Sequence, residues 1–467
     1  MAGRSCTTTP PAIRASGRRA LRRAAVALAA AVVAGCHRGP PDGIALVGAT
    51  VIDGRGGAPQ KDMVVVTRGH LIESVAPRDG FKIPRHTRKV DVSGKFVLPG
   101  FIDAHGHVER WALSRYLAYG VTSVRDVHGT LDSIMDLREK ASLNAFTSPR
   151  IYSAGAMIDG APATYPNAIE VHDNSEARKA VDRLAVKGVD YLKVYTRVTP
   201  QVLRAVVDEA NSFGLRVAAH LGLTDALTAS DIGVRSIEHM SGVPEAAGDA
   251  APLYAAHAKS FFAGWTAFEK SWAGLDSAAL DRVAKHLVSK NVILVPTLAL
   301  HELYSRLDDP TVQQAPWLGA VPKAARDRWN VPDMIARAGW GPGDFAAFRR
   351  SRPNQDLFVR EFLRAGGVIA AGTDASNQML VPGFSEHQEM ELLVRAGLTP
   401  ADAVLAATHD AAVLLGADSI GVVAPGKAAD LIVLGRNPLD NIQNTQSIER
   451  VIVRGQLFAV DSIRRSW

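Results

Sequence analysis

Cysteine is nearly absent from this 467-residue chain, which has only Cys6 and Cys36. If the first 35 residues are removed, as argued below, no disulfide can form within the mature chain, and stability must come from the core. Acid and lysine are missing from residues 1–35, which hold Arg4, Arg14, Arg18, Arg19, Arg22 and Arg23. Those six arginines equal the whole formal charge of +6, so bases and acids balance over the rest. That balance excludes a nucleic-acid-binding reading of the folded part. Beyond residue 36 there is no apolar run of the roughly 20 residues that a membrane-spanning helix needs. Hydrophobic residues make up 47% of the sequence, enough for one large domain and a smaller one.

The first 35 residues read as a targeting segment. The arginine-rich stretch ends at Arg23, and the apolar run Ala24–Ala34 that follows is too short to span a bilayer. Val33-Ala34-Gly35-Cys36 resembles the lipobox of bacterial lipoproteins. The resemblance implies a signal peptide over 1–35, a lipid on Cys36 and a tether over 36–43. An ordinary signal peptide or weak anchor helix is the alternative. Arg18-Arg19 also resembles part of a twin-arginine export signal. Together these imply an exported protein of the bacterial cell envelope, held to a membrane by its lipid.

Past the tether, β-type text occupies both ends. Ala45-Leu46-Val47, Met63-Val64-Val65-Val66 and Leu71-Ile72 lie near the start, and Leu431-Ile432-Val433-Leu434 and Val451-Ile452-Val453 near the end. The two ends, 44–98 and 421–467, are expected to form one small β-sandwich. Between them, over 99–420, short apolar strands alternate with helical stretches. The strands end near His105, Arg125, Ala154, Tyr195, His220, His239, Pro296 and Asp374. That pattern predicts an α/β fold, a (β/α)8 TIM barrel. The long stretch between Thr297 and Gly367 holds Trp317, Trp329 and Trp340, and reads as an insertion over the barrel mouth or as a packed decoration.

Metal-ligand residue types recur at those strand ends. His105 and His107 are two apart, so in a strand both rings reach the same face. Lys193 lies inside the apolar strand Tyr191–Tyr195, where an unpaired ammonium is costly and a neutral amine is favoured. Such an amine can add carbon dioxide to give a carbamate. His220, His239 and Asp374 close three further strands. Asp374 is placed to ligate an ion and accept a proton from water. Tyr195 shares the Lys193 face and is a substrate contact or a core tyrosine.

With Val97-Leu98-Pro99-Gly100-Phe101-Ile102-Asp103-Ala104-His105-Gly106-His107, Ser236-Ile237-Glu238-His239, Ala371-Gly372-Thr373-Asp374 and Pro425-Gly426-Lys427-Ala428-Ala429-Asp430-Leu431, the chain resembles the metal-dependent amidohydrolase superfamily. Within it, the likeness is to the branch of imidazolonepropionase-like and Xaa-Pro or Xaa-Arg dipeptidase members. The resemblance implies two divalent ions, zinc by analogy. His105, His107 and Asp374 would hold one, His220 and His239 the other, with carboxylated Lys193 and a hydroxide bridging them. It implies hydrolysis of C–N amide bonds in small peptides or N-acyl amino acids, with Asp374 as catalytic proton shuttle. The rivals are a mononuclear enzyme opening a cyclic amide and a non-catalytic lipoprotein that binds metal or ligand. Leu221-Gly222-Leu223 after His220 lacks the glutamate that deaminases of this superfamily use, which argues against deamination. His128 is a pocket or loop histidine, and His387 a substrate contact, helix cap or support.

Overall fold

The computed structural model describes residues 43–467. The signal peptide, Cys36 and nearly all of the tether lie outside the described residues. Among the described residues, no helix is long and apolar enough to cross a membrane.

Both ends of the described chain meet in one eight-stranded sheet. Gly43–Val51, Gln60–Arg68, Leu71–Pro77, Thr87–Asp91 and Phe96–Pro99 come from the start, and Leu431–Leu434, Ile448–Val453 and Gln456–Ala459 from the end. The ends do pair, with Val97 opposite Val433 and Leu98 opposite Ile432. Hydrogen bonds run through all eight strands, so the two ends form a single bonded network. The cause is the strand Gly43–Val51. Its register shifts on either side of Ala49, so residues 43–47 pair with 87–91 while Thr50 and Val51 pair with Phe96 and Val97. Gly48 sits at this bend with φ +84, and a Cβ there would lie 2.4 Å from Ser93 Oγ. Leu46, Val65, Val97, Leu431 and Ile452 are buried on one side of the sheet.

Between these ends the chain is a TIM-barrel-like α/β array of short parallel strands and helices. Eight strands stand where the sequence expects them: Phe101–Gly106, Val121–Asp126, Arg150–Ser153, Leu192–Val194, Val217–Ala219, Ser236–Glu238, Ile293–Val295 and Val368–Ile369. Two more, Ile158–Gly160 and Ile169–Val171, add to those eight. The ladder divides into a three-stranded and a seven-stranded parallel sheet. Side-chain carboxylates accept backbone N–H groups at both breaks. Asp190 Oδ2 accepts the Ser153 N–H at 2.8 Å, and Asp103 Oδ1 accepts the N–H groups of His105 and Thr373 at 3.1 and 3.2 Å. Backbone bonds still link the flanks: Asp190 N–H to Ser153 O at 2.9 Å, and Asp374 N–H to His105 O at 2.7 Å.

The helices follow local rules. Pro200–Ser212 starts with Thr199 accepting the Val202 N–H and proline in its first turn, and it buries Leu203, Val206, Val207 and Ala210. Gly214, φ +67, lies just past its end, as the sequence expects of a cap residue. The insertion after Thr297 folds into helices that include Leu298–Ser305, Val331–Ala338 and Pro342–Arg364. Leu300, Tyr304, Met334 and Arg337 from this segment line the cavity described next.

Candidate metal centre

His105, His107, Lys193, His220, His239 and Asp374, from five strand ends, line one cavity of about 400 Å³. Tyr195 and His128 line it too. A larger groove, about 890 Å³, lies against the eight-stranded sheet beside Arg88, Arg138, Arg150 and Arg454, and none of the six ligand-type residues reaches it.

The His-x-His spacing acts as strand geometry requires. Nε2 of His105 and Nε2 of His107 lie 3.2 and 2.9 Å from the same oxygen, Asp374 Oδ1. Ligand atoms of these three residues all fall within 4.8 Å of one another. Gly106 between the histidines allows a close approach: a Cβ there would lie 2.8 Å from Tyr116 Oη and 3.0 Å from Ala375 O. Gly372 does the same on the facing segment, where a Cβ would lie 2.8 Å from both His105 N and Val295 Cγ1. Asp374, His239 and Thr297 carry φ values of +64, +59 and +49, left-handed backbone that non-glycine residues adopt at a cost of about 1–3 kcal/mol each.

Three of the four histidines are held from behind. Glu238 Oε2 lies 2.6 Å from His105 Nδ1. A carboxylate only accepts, so Nδ1 carries the proton and Nε2 presents a lone pair. Thr297 Oγ1 holds His239 Nδ1 at 2.7 Å, and the His128 carbonyl holds His107 Nδ1 at 3.3 Å. Burial, with the Lys193 charge nearby, drives the His220 pKa well below its ordinary value. Burial and the neighbouring His105 and His220 do the same to His239. Both rings are thus neutral, the form that ligates metals. For Asp374, burial works against the charge, but the adjoining His105 and His107 prevail and hold its carboxyl well below the usual range.

Lys193 is 2% exposed, and its Nζ has no hydrogen-bond partner among the described residues. Burial lowers its pKa to about 8; the charges of Glu238 and Asp374 pull the other way. His220 Nδ1 is likewise buried without a partner. Buried orphan nitrogens are rare in folded proteins and mark a site made for something else. The donor set of neutral imidazoles, a carboxylate and an amine fits divalent metal of the zinc type.

Tyr195 packs its ring 4.7 Å from that of His220, facing the pocket as strand alternation requires. His128 Nδ1 accepts the Met157 N–H at 3.2 Å, so its ring is neutral; burial and then His107 lower its pKa to about 4. His387, one of the expected substrate contacts, is corrected. It is fully buried away from the cavity, with Nδ1 2.9 Å from Thr445 Oγ1 and Nε2 3.0 Å from Tyr119 O. The left-handed Gly383 (φ +80) sets the entry to its helix, Phe384–Ala396, which turns the ring into the packing instead.

The structure adds Glu238 to the site. It is fully buried between His105, Arg125 Nη1 at 3.0 Å and Ser236 Oγ at 2.6 Å. Burial opposes its charge, but Arg125, Lys193 and His105 hold its pKa well below the carboxylate range. Its signal was present: an acid inside an apolar strand, two residues after Ser236, next to a ligand histidine.

Residues 96–458 match a model of the amidohydrolase family. An uncharacterized protein of Mycobacterium bovis is 26% identical over 393 residues, which cover 78% of this chain and 86% of that protein. Among solved structures, a Xaa-Pro dipeptidase with bound methionine superimposes with a TM-score of 0.66 at 21% identity, covering 89% of this chain and all of that one. Ochratoxinase of Aspergillus niger gives 0.64 at 19% identity over 90% of this chain and 96% of its own. At these identities the structures speak for the fold alone.

Proposed function

The chain belongs to the amidohydrolase family, hydrolases of carbon–nitrogen bonds, and from that membership we propose that it cleaves small peptides or N-acyl amino acids at a two-metal centre. One observation carries the reading: six ligand-type side chains line a single cavity, and two of them hold buried nitrogens without partners. His105, His107 and Asp374 would hold one ion and His220 and His239 the other, zinc by the donor set, with carboxylated Lys193 between them. Bound there, the ions would polarise an amide carbonyl and bring the pKa of a water towards neutrality.

The chain's own groups do the rest. Lys193, part neutral near pH 8, adds carbon dioxide at Nζ and releases a proton, turning an orphan amine into an anion. Glu238 and Thr297 fix the tautomers of His105 and His239. Asp374 stays ionised, with Oδ2 taking a hydrogen bond from Asn377 Nδ2 at 2.6 Å. It accepts the proton of the attacking water and hands it to the departing amine. Tyr195 and His128 orient the substrate from the wall. The three residues after His220 are leucine, glycine and leucine, and among the described residues lining the cavity Asp374 is the one carboxylate, so none of them is a second acid of the deaminase kind.

A one-metal reading draws support from the tight grouping of His105, His107 and Asp374. A panel of dipeptides, N-acyl amino acids and cyclic amides, run on protein with its metal quantified, separates the two. Linear amides turned over at two ions per chain support the proposal; cyclic amides alone at one ion support the rival. An inert metal-loaded protein would leave a binding lipoprotein. Export and lipid attachment are read from Val33–Cys36: labelled palmitate should enter the wild type and not Cys36→Ser, and equal labelling would refute the anchor.

A further inference from the structure

The cavity has two features that the metal ligands do not use. The first is an aromatic wall. Tyr195 touches His220 and stacks on Phe261 at 6.1 Å and 18°, and Phe261 stacks on Trp265 at 6.2 Å and 28°. Tyr165 meets Tyr195 at 5.7 Å, and Phe262 meets Phe261 at 5.6 Å. The rings run unbroken from a metal-ligand histidine to the mouth. The second is Arg337. Among the described residues lining the cavity, it is the one arginine, and Asp374 is the one carboxylate.

Arg337 stands at the rim, its guanidinium carbon 5.9 Å from the Phe262 ring centre. Its partner is Asp333, joined through Nε at 2.8 Å, with the two side chains 63% and 50% exposed. An exposed pair of this kind contributes little and leaves the forked end of the guanidinium to a carboxylate. An aromatic box can also take a cation, but here the charged side chain lining the cavity at the rim is an arginine, and Asp374 is already engaged by two histidines. Leu221-Gly222-Leu223 beyond His220 brings no hydroxyl, so the inner wall offers no anion partner on that side.

We propose that the substrate is an N-acyl amino acid or dipeptide with an aromatic side chain and a free terminal carboxylate: the ring lies along the wall from Tyr195 to Phe262, and Arg337 holds the carboxylate. This rests on the hydrolase reading above and narrows it. Arg337, on a solvent-exposed helix face, then sets specificity without taking part in the chemistry.

The test has two arms. In the first, hydrolysis of N-acetyl-phenylalanine, N-acetyl-phenylalaninamide and N-acetyl-alanine is measured on metal-loaded wild type, Arg337→Gln and Phe261→Leu. The acid should exceed its amide in kcat/KM by about tenfold or more, as expected for a charged hydrogen-bonded pair. It should exceed the alanine analogue by a similar factor. Arg337→Gln should abolish the acid-over-amide ratio, and Phe261→Leu should shrink the phenylalanine-over-alanine ratio. In the second arm, calorimetry compares 3-phenylpropanoate with 3-phenylpropanol, neither of which can be hydrolysed. Turnover with no preference for the carboxylate, or with a ratio that survives Arg337→Gln, overturns the inference and leaves the hydrolase reading standing. No turnover, together with carboxylate-selective binding lost in Arg337→Gln, overturns the hydrolase reading and the substrate proposal with it, and leaves Arg337 as a carboxylate-binding residue. No turnover and no selectivity sinks both.

Discussion

Glu238 meets three partners at once, and its charge serves each differently. It fixes the His105 tautomer, neutralises the buried Arg125 and lies within electrostatic reach of Lys193. Removing one member of a buried ion pair leaves the other charge uncompensated, at a cost of about 3–5 kcal/mol. Weakening a carboxylate behind a metal-binding histidine lowers metal affinity about 10- to 100-fold. Glu238→Gln should therefore lose metal on dialysis that the wild type retains, and it should unfold at lower urea. A variant matching the wild type in both would show that Glu238 is only packing. The same residue shows where sequence reading stops. Ligand types announce themselves at strand ends, because strand alternation places them; an acid in such a strand stands out as well, but which group it supports shows only once its partners from other strands are in place.

At the scale of elements, two examples bear on how the site is held. Gly372 lets the Val368–Ile369 strand and its continuation lie against His105 and Val295. A methyl there must push one of them aside, and overpacking of this kind costs about 1–3 kcal/mol. Gly372→Ala should lower the urea midpoint and weaken metal retention together; a normal midpoint with full metal would contradict the close fit. The helix Phe384–Ala396 gives the second example. Glu389 on it is fully buried, Oε2 accepting the Ala299 N–H at 2.7 Å, and burial pushes its carboxyl up to about 8. The folded chain keeps a proton that the unfolded chain releases near its ordinary pKa of about 4.3. The stability from this group is thus complete below that value and is lost as pH rises through about 8. Melting temperatures from pH 5 to 9 should show Glu389→Gln gaining on the wild type as pH rises; a constant difference would mean that the carboxyl ionises freely. His387, two residues earlier on this helix, is open in the sequence to substrate contact, capping or support, and its hydrogen bonds to Thr445 and Tyr119 keep it in the packing. Which face of a helix meets the pocket depends on the turn that precedes it, and the sequence does not encode that turn in a readable period.

At the scale of the whole molecule, the sheet from the two ends and the parallel strands are continuous in space. Phe96–Pro99 pairs with Leu431–Leu434, and the chain then runs directly into Phe101–Gly106, which carries His105. The eight strand positions and the pairing of the chain ends were legible in advance, since both rest on hydrophobic period and on punctuation by glycine and proline. Two things were not. At the breaks between the two parallel sheets Asp103 and Asp190 accept backbone N–H groups with their side chains, and the strand Gly43–Val51 bends at Gly48 so that it pairs with two neighbours in turn. Each is a local side-chain or backbone event with no periodic trace.

The convergence of the six ligand-type residues on one pair of ions is tested most directly by counting metal on protein folded with zinc and bicarbonate, for wild type and for Lys193→Ala. The account predicts two zinc ions per wild-type chain and one or fewer in the variant, with amide hydrolysis lost. One zinc per chain in both, with activity retained by the variant, would contradict it.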